Sequence, residues 1–375
     1  AYEILRCLVG SEMCTRDRLL SLGLIMVLSA SSPTSLSETG DDSYVYFKKQ
    51  ATFAVIGVAA MLFISKIDYR FWKKFYKIAY IASIILLLMV LIPGIGRSAG
   101  GARRWINLGI QFQPSELAKI GLIIFYASYL TDHKDELKDF KKGFVKPLLY
   151  LIPVVLILIL VQDHLSATII IVLVVGIMML MAGVRPKYFA TVGTGVAVAG
   201  AAGLYAMAKF TSKGAFRIAR ITSFLNPWAD KQGDGWQVIQ SLYAIGSGGL
   251  FGVGLGQSKQ KYLYISEPHT DFIFAVLAEE LGFVGCAIVI GLFGIFIWRG
   301  VLAAMKAPDM FGSLVAVGIT SLIGLQAIIN IAVVTSSMPV TGMPLPFFSY
   351  GVTSLLILLC SVGVLLNISR AGTKV

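Results

Sequence analysis

The run Ile265-Ser-Glu-Pro-His-Thr-Asp271 ends where a long apolar block opens, Phe272-Ile-Phe-Ala-Val-Leu-Ala-Glu-Glu-Leu-Gly282. A carboxylate at the mouth of a membrane helix is partly desolvated, which disfavours its anion and raises its pKa. Asp271 is thereby suited to general-base work. Aspartate is also a favoured helix N-cap, and the spacing leaves both roles open. Glu279 and Glu280 follow about 12–14 Å deeper at 1.5 Å per residue. Carboxylates at that depth must face a polar interior or pair with basic groups.

Positive charge comes from other runs. Gly100-Gly-Ala-Arg-Arg-Trp-Ile-Asn-Leu-Gly109 precedes Gln113-Pro-Ser-Glu-Leu-Ala-Lys119. Arg103 and Arg104 carry forked donors that match phosphate oxygens. Trp105 either stacks on a sugar or head group or belongs to an interfacial belt. Pro114 suits a first helical turn. Glu116 and Lys119 then share one helix face at i,i+3 and can pair. That pair is either a structural tie at a helix entrance or the wall of a polar pocket. In Arg217-Ile-Ala-Arg220 two guanidinium groups stand one turn apart, and His269 lies two residues before Asp271. Both belong with the substrate-binding candidates.

Three further stretches are shaped more by backbone than by charge. Val161-Gln-Asp-His-Leu-Ser-Ala-Thr168 is a polar hairpin in which Asp163 or Ser166 can cap the following helix, and His164 alone makes no metal site. Gly246-Ser-Gly-Gly-Leu-Phe-Gly-Val-Gly-Leu-Gly256 lacks the Gly-Lys-Ser/Thr ending of a phosphate loop, so it reads as a flexible turn or re-entrant bend. Pro339-Val-Thr-Gly-Met-Pro-Leu-Pro-Phe-Phe-Ser-Tyr-Gly351 cannot be a regular helix. Irregular backbone beside a membrane lines a cavity or is buried in protein.

What must position these residues is a bundle of membrane helices. The 375 residues are 57% hydrophobic and 14% charged, against about 25% charged in soluble domains. Ten apolar segments are expected, at 19–31, 51–65, 78–92, 117–130, 148–161, 165–183, 189–207, 272–298, 311–334 and 349–368. A span needs about 20 apolar residues, and these blocks lack the period-two alternation of barrel strands. The fold class is therefore all-α, one polytopic domain over 1–375, with a long extracytoplasmic loop between helices 7 and 8 at about 208–271. The first segment is short, because Arg16, Asp17 and Arg18 part it from Ile4–Val9. Trp236-Gln-Val-Ile-Gln-Ser-Leu-Tyr243 reads as a short amphipathic helix at the interface.

Basic residues set the orientation. Lys66, Arg70, Lys73, Lys74 and Lys77 crowd one loop, and Lys134, Lys138, Lys141, Lys142 and Lys146 another. With ten alternating spans these loops share the cytoplasmic side, and both termini lie there. Arg97, Arg103, Arg104, Arg217 and Arg220 fall on the opposite side, where an anionic ligand accounts for them. The net charge of +12 otherwise fits orienting loops and anionic membrane lipids. Nucleic acid is excluded as a partner, since no soluble basic domain exists to hold it. The four cysteines form no C-x-x-C pair, which excludes a disulfide framework or zinc site.

Taken together, Gly101–Gly109 with Gln113–Lys119, Arg217–Gly256, Glu267–Gly285 and Pro339–Ser354 resemble the SEDS proteins (shape, elongation, division and sporulation), the FtsW, RodA and SpoVE family. The run Trp236–Gln257 and the Pro-Val-Thr-Gly ending are closest to the FtsW/SpoVE branch. The resemblance implies a peptidoglycan glycosyltransferase with ten transmembrane helices. It would polymerise lipid II, the lipid-linked disaccharide-pentapeptide, outside the cytoplasmic membrane, in division or sporulation, beside a class B penicillin-binding protein. The family's essential aspartate maps onto Asp271, its tryptophan onto Trp105, and its Glu and Lys onto Glu116 and Lys119. Two departures stand out: Asp163 where the family has proline, and the shortened first helix.

On this reading Asp271 takes the proton of the acceptor hydroxyl as it attacks the donor's anomeric carbon. The leaving pyrophosphate is stabilised by Arg103, Arg104, Arg217 and Arg220, or with help from a divalent cation, Mg or Mn; no metal ligand set is legible. Two rivals come from other classes. A lipid II flippase needs essential polar groups along a path to both faces, whereas the unusual residues here gather on one side. A non-catalytic scaffold for a transpeptidase would tolerate substitution at Arg103, Arg217 and Asp271.

Overall fold

Hydrocarbon offers the backbone no hydrogen-bond partner, so apolar blocks close their own ladders as helices. The computed structural model describes residues 2–40, 42–99, 102–107, 111–195, 224, 226–229, 235–262, 264–265 and 267–372. The chain begins with α1 (Tyr2–Thr39), α2 (Val45–Ile64), a single turn α3 (Arg70–Lys73) and α4 (Tyr76–Met89). Three short strands follow, β1 (Gly96–Ala99), β2 (Ala102–Asn107) and β3 (Gln111–Phe112). Then come α5 (Pro114–Asp132), α6 (Lys146–Leu156, with π turns on both sides) and α7 (Leu165–Ala182). The last helices are α8 (Trp236–Gly248), α9 (Ile273–Met305), α10 (Met310–Val334) and α11 (Val352–Gly372).

Seven described segments are long and apolar enough to cross a membrane: Cys14–Glu38, Val45–Ile64, Phe140–Val161, Leu165–Ala182, Ile273–Met305, Met310–Val334 and Val352–Gly372. Helix α4 is apolar but shorter, and α5 carries Glu116, Lys119 and Asp132 among its 19 residues. All but the seventh of the ten expected segments fall on described helices. The seventh, 189–207, is helical as far as residue 195, and its remainder lies outside the described residues.

One expectation is corrected. The first span is not short: helix α1 runs without interruption past Arg16, Asp17 and Arg18, and its membrane-length part is Cys14–Glu38. Arg16 is accommodated because its side chain is buried and pairs with Asp17, so the charge does not break the helix. The helical class holds, and the described residues add to it a small antiparallel sheet, order β1-β2-β3. Ala99 pairs with Ala102, so only Gly100-Gly101 separate β1 from β2, a pair suited to a two-residue hairpin.

The side chains sort by solvent. Val55 and Leu160 are more than 70% exposed, as lipid-facing residues are, while Tyr126, Met178 and Phe348 have no exposure and fill the core. Helix α11 packs along α2, α10 along α9, and α5 along α4. At the opposite end from the sheet, Asp309 caps α10 by accepting from Gly312 N at 2.7 Å. It also accepts from Tyr69 Oη at 2.8 Å and Arg70 Nε at 2.9 Å. Asn367 of α11 accepts from Tyr69 N and donates to Ser65 O, so one polar cluster ties α2, α3, α10 and α11.

Candidate active site

Four segments meet at one end of the bundle. They are the β2 strand, the 162–166 hairpin, the 267–272 turn leading into α9, and the irregular 336–351 segment. The last is held by polar clamps rather than by a helical ladder. Asn330 of α10 donates from its one Nδ2 to Asp271 O at 2.8 Å and to Met343 O at 2.6 Å. Tyr350 N donates to His269 O at 2.8 Å, and Ser349 Oγ to Thr270 O at 2.5 Å. Gln50 of α2 donates to Ser349 O and accepts from Gly351 N, both at 3.2 Å. Ser166 Oγ donates to Thr341 O, which joins the hairpin to the same segment.

Asp271 sits in the middle of this assembly, half-buried, just ahead of the first turn of α9. The cap residue of α9 is Phe272, and no side chain caps that helix. The N-cap role open to Asp271 from sequence is therefore not the one it takes. Burial pushes its carboxyl up to about 6, the charge of Glu267 adds to the rise, and Arg104 opposes it. Gly342 fits beside it with φ +66°, and a Cβ there would stand 3.3 Å from Asp271 Oδ2. Only glycine takes that backbone without strain.

A β-bulge divides the two candidate arginines: Ser98 pairs with Arg103 and Arg97 with Trp105, which leaves Arg104 as the extra residue of β2. Arg104 is half-buried beside the fully buried Ile106, whereas Arg103 is exposed. Arg104 Nη2 donates to Asp163 O at 2.6 Å and its Nε to Gln162 O at 3.3 Å. Its charge thus lies over the hairpin and within range of Asp271. Asp163 holds φ +48°, and its carbonyl engages Arg104.

Lys119 and Glu116 pair at 2.8 Å, as their spacing predicts, with Lys119 almost fully buried. Next to them His164 Nε2 meets Gln113 Nε2 at 2.7 Å. Burial, then Arg104 and Lys119, push the His164 imidazole down to about 3, so the ring is neutral in a positive field. His269 is buried against Tyr46 and Tyr350, with ring centroids at 4.9 and 5.7 Å; burial lowers its pKa. It braces the turn that carries Asp271. Gln162 Oε1, His164 Nδ1, His269 Nδ1 and Thr341 Oγ1 are buried with no hydrogen-bond partner, so four polar atoms around the site remain to be satisfied.

Arg217 and Arg220 lie outside the described residues. Among the described residues no three His, Cys, Asp or Glu side chains converge as metal ligands do. Sequence reasoning passed over Asn330, Gln50, Tyr46 and Lys261. Asn330 is a polar amide inside an apolar block, the one signal that could have singled it out, whereas Gln50 follows Lys48 and Lys49 at the edge of its block and carries no such signal. Lys261 and the acid pair Glu279-Glu280 come together behind the site. Lys261 Nζ bonds Glu280 Oε1 at 2.9 Å, and Glu279 accepts from Lys259 N at 3.0 Å.

The model of the cell cycle protein family FTSW_RODA_SPOVE matches residues 13–374. Stage V sporulation protein E of Bacillus subtilis is 47% identical over 353 residues, covering 94% of each chain. A probable peptidoglycan glycosyltransferase FtsW from Geobacter sp. strain M18 is 43% identical over 352 residues, again covering 94% of each. Among solved structures, a chain from a peptidoglycan synthase complex that coordinates polymerization and crosslinking superposes with TM-score 0.81 at 28% identity, covering 98% of each chain. The rod shape determining protein RodA of Thermus thermophilus gives TM-score 0.67 at 28% identity, covering 98% of this chain and 95% of its own.

Proposed function

The chain belongs to the FtsW/RodA/SpoVE family of cell cycle proteins, and from that premise we propose that it is a multi-pass membrane glycosyltransferase that polymerises lipid II into peptidoglycan strands. The observation that carries the reading is Asp271: a carboxylate raised to about 6, half-buried between the 267–272 turn and Gly342, with Arg104 nearby. At neutral pH such a group is mostly ionised yet remains basic enough to accept a proton, which is the balance a general base needs.

The transfer conserves atoms and charge. Asp271 takes the proton of the acceptor sugar's 4-hydroxyl as that oxygen bonds to the donor's anomeric carbon. The bond from that carbon to undecaprenyl pyrophosphate breaks, and the pyrophosphate leaves with the electron pair. Arg104 makes the local field positive where that charge collects, while Lys119 is balanced by Glu116. Arg103, exposed on β2, meets substrate before it reaches Asp271. A divalent cation, Mg or Mn, would add charge stabilisation of the leaving pyrophosphate; the steps of this chain's own residues run through Asp271 and Arg104.

In this reading both termini and the Asp309 cluster face the cytoplasm, and the Asp271 site faces outward, where lipid II is presented. The partner is a class B penicillin-binding protein that cross-links the strands, in line with the synthase complex to which the fold is similar. The test is polymerisation of purified lipid II by this protein with its transpeptidase partner, comparing wild type with Asp271→Asn. Strands from the wild type and none from the folded, partner-bound variant are expected. No strands from either, with lipid II translocated across liposomes, would replace the enzyme by a flippase.

A further inference from the structure

Helix α9 is not one helix. At Gly282 the backbone turns to φ +66°, ψ −167°, which splits the outer residues Ile273–Leu281 from the rest. In an unbroken helix Phe283 N and Val284 N would donate to Glu279 O and Glu280 O. Here the glycine-rich turn after α8 takes over all four groups. Phe283 N donates to Gly249 O at 2.9 Å and Val284 N to Leu250 O at 3.1 Å. Val253 N donates to Glu279 O at 3.0 Å and Gly254 N to Glu280 O at 3.1 Å. A Cβ on Gly282 would stand 2.3 Å from Gly252 N, so the contact is backbone on backbone.

The break satisfies the backbone but removes the stiffness of a continuous helix. The outer half therefore needs its own anchor. Glu280, fully buried, accepts from Lys261 Nζ at 2.9 Å and from Ser29 Oγ of α1 at 2.6 and 2.8 Å. Lys261 completes its three donor bonds on Glu280, Ser29 Oγ at 3.0 Å and Gly256 O at 2.7 Å. Glu279 accepts from Ser258 Oγ at 2.5 Å, Lys259 N at 3.0 Å and Gln260 N at 3.3 Å. Every charged atom in this group is partnered inside the protein, the condition under which a buried network fixes geometry rather than reacts. At the other end of the same half-helix, Asn330 holds the Asp271 carbonyl.

We propose that Lys261, through Glu280 and Ser29, is a positioning residue for Asp271: it staples the outer half of α9 to α1 and so sets how deeply the carboxylate sits against Gly342. The proposal rests on Asp271 being the general base. Asp271 is faced by Arg104 from β2 and Glu267 from its own turn, while the 339–349 segment and Asn330 bring no charge. Loosening the staple lets solvent reach Asp271, and its proton affinity falls toward that of an ordinary aspartate.

Lys261→Met alone would strand the buried Glu280 carboxylate and threaten folding. The variants of choice are Lys261→Met/Glu280→Gln, which removes both charges, and Ser29→Ala, which leaves the pair but cuts its tie to α1. With lipid II and the partner present, the double variant should lose about tenfold in kcat with KM within about twofold. Its acidic limb should move from near pH 6 down by about one unit; Ser29→Ala should shift the same way by less. Hydrogen exchange should quicken over 271–281 and stay unchanged over 283–305. A limb and an exchange pattern identical to wild type in both variants would overturn the positioning role alone. A wild type that makes no strands would overturn the glycosyltransferase reading and the positioning role with it.

Discussion

Asp271 illustrates how a functional group is held at a cost to the fold. Its native carboxyl titrates at about 6 against 3.8 when unfolded. Between those values the native state binds more protons, so stability falls as pH rises from about 4 to about 6 and stays lower above that. Asp271→Asn removes this term. The expected result is at least a 10²-fold loss of polymerisation with a melting temperature at neutral pH equal to or above wild type, read by thermal unfolding in detergent. The activity of the wild type should rise with pH through about 6 as Asp271 loses its proton, which a pH–rate profile of kcat checks. The two arginines are separable at this scale too. Arg104→Ala removes the hydrogen bonds to Gln162 O and Asp163 O as well as the charge beside Asp271, and should lower kcat by about 10²-fold. Arg103→Ala, on the exposed face, should act mainly on KM. Equal effects on kcat from both would count against the inward placement of Arg104.

Among the elements, the irregular ones carry the site. Among the described residues the non-glycine positions with positive φ are Asp163, Glu267, Ser336 and Phe347, and all four lie on turns that build it. Strained backbone persists where surrounding contacts over-determine it, and here Asn330, Gln50, Ser349 and Ser166 supply those contacts. Gly342→Ala should be a sensitive probe. The added methyl would meet Asp271 Oδ2 at 3.3 Å in a backbone that disfavours alanine, so activity should fall well before the protein unfolds. Gly282→Ala should behave oppositely. Its methyl would collide with the backbone of Gly252 and Leu250, and the variant should lose more than about 2 kcal/mol of stability, seen as low yield and early unfolding. A Gly282→Ala protein as stable as wild type would mean the break in α9 is not needed.

The molecule as a whole has two polar ends with different tasks. The Asp271 end gathers irregular turns around one carboxylate, whereas at the other end Asp309 is held by Tyr69, Arg70 and the Gly312 N–H. The hydrogen bonds from those three groups hold the Asp309 carboxyl below its usual range, and they outweigh the opposing effect of burial. A depressed folded value gives stability that is present above the unfolded pKa and is lost as pH falls through the folded one. Asp309→Ala should therefore destabilise the bundle at neutral pH by about 1–2 kcal/mol, as loss of a helix cap does. Strand synthesis per folded molecule should be unchanged. The difference in stability between Asp309→Ala and wild type should shrink below pH 4.

The sequence by itself determined the membrane, because apolar blocks of span length admit only helices there, and it pointed to the candidate site, because charge is rare enough in such a chain to be conspicuous. Asp271, the Glu116–Lys119 pair and the irregular 339–351 segment were all legible on those grounds, and the family followed from their order. Only the tertiary structure decided what distant contacts decide. The strand that turns Arg104 inward and Arg103 outward depends on cross-strand pairing. The uninterrupted first helix depends on Arg16 being buried and paired with Asp17. The staple of Lys261 to Glu280 and Ser29 joins residues as far as 251 positions apart. A local pattern fixes which face is apolar, but it holds no record of which backbone will arrive to accept a hydrogen bond.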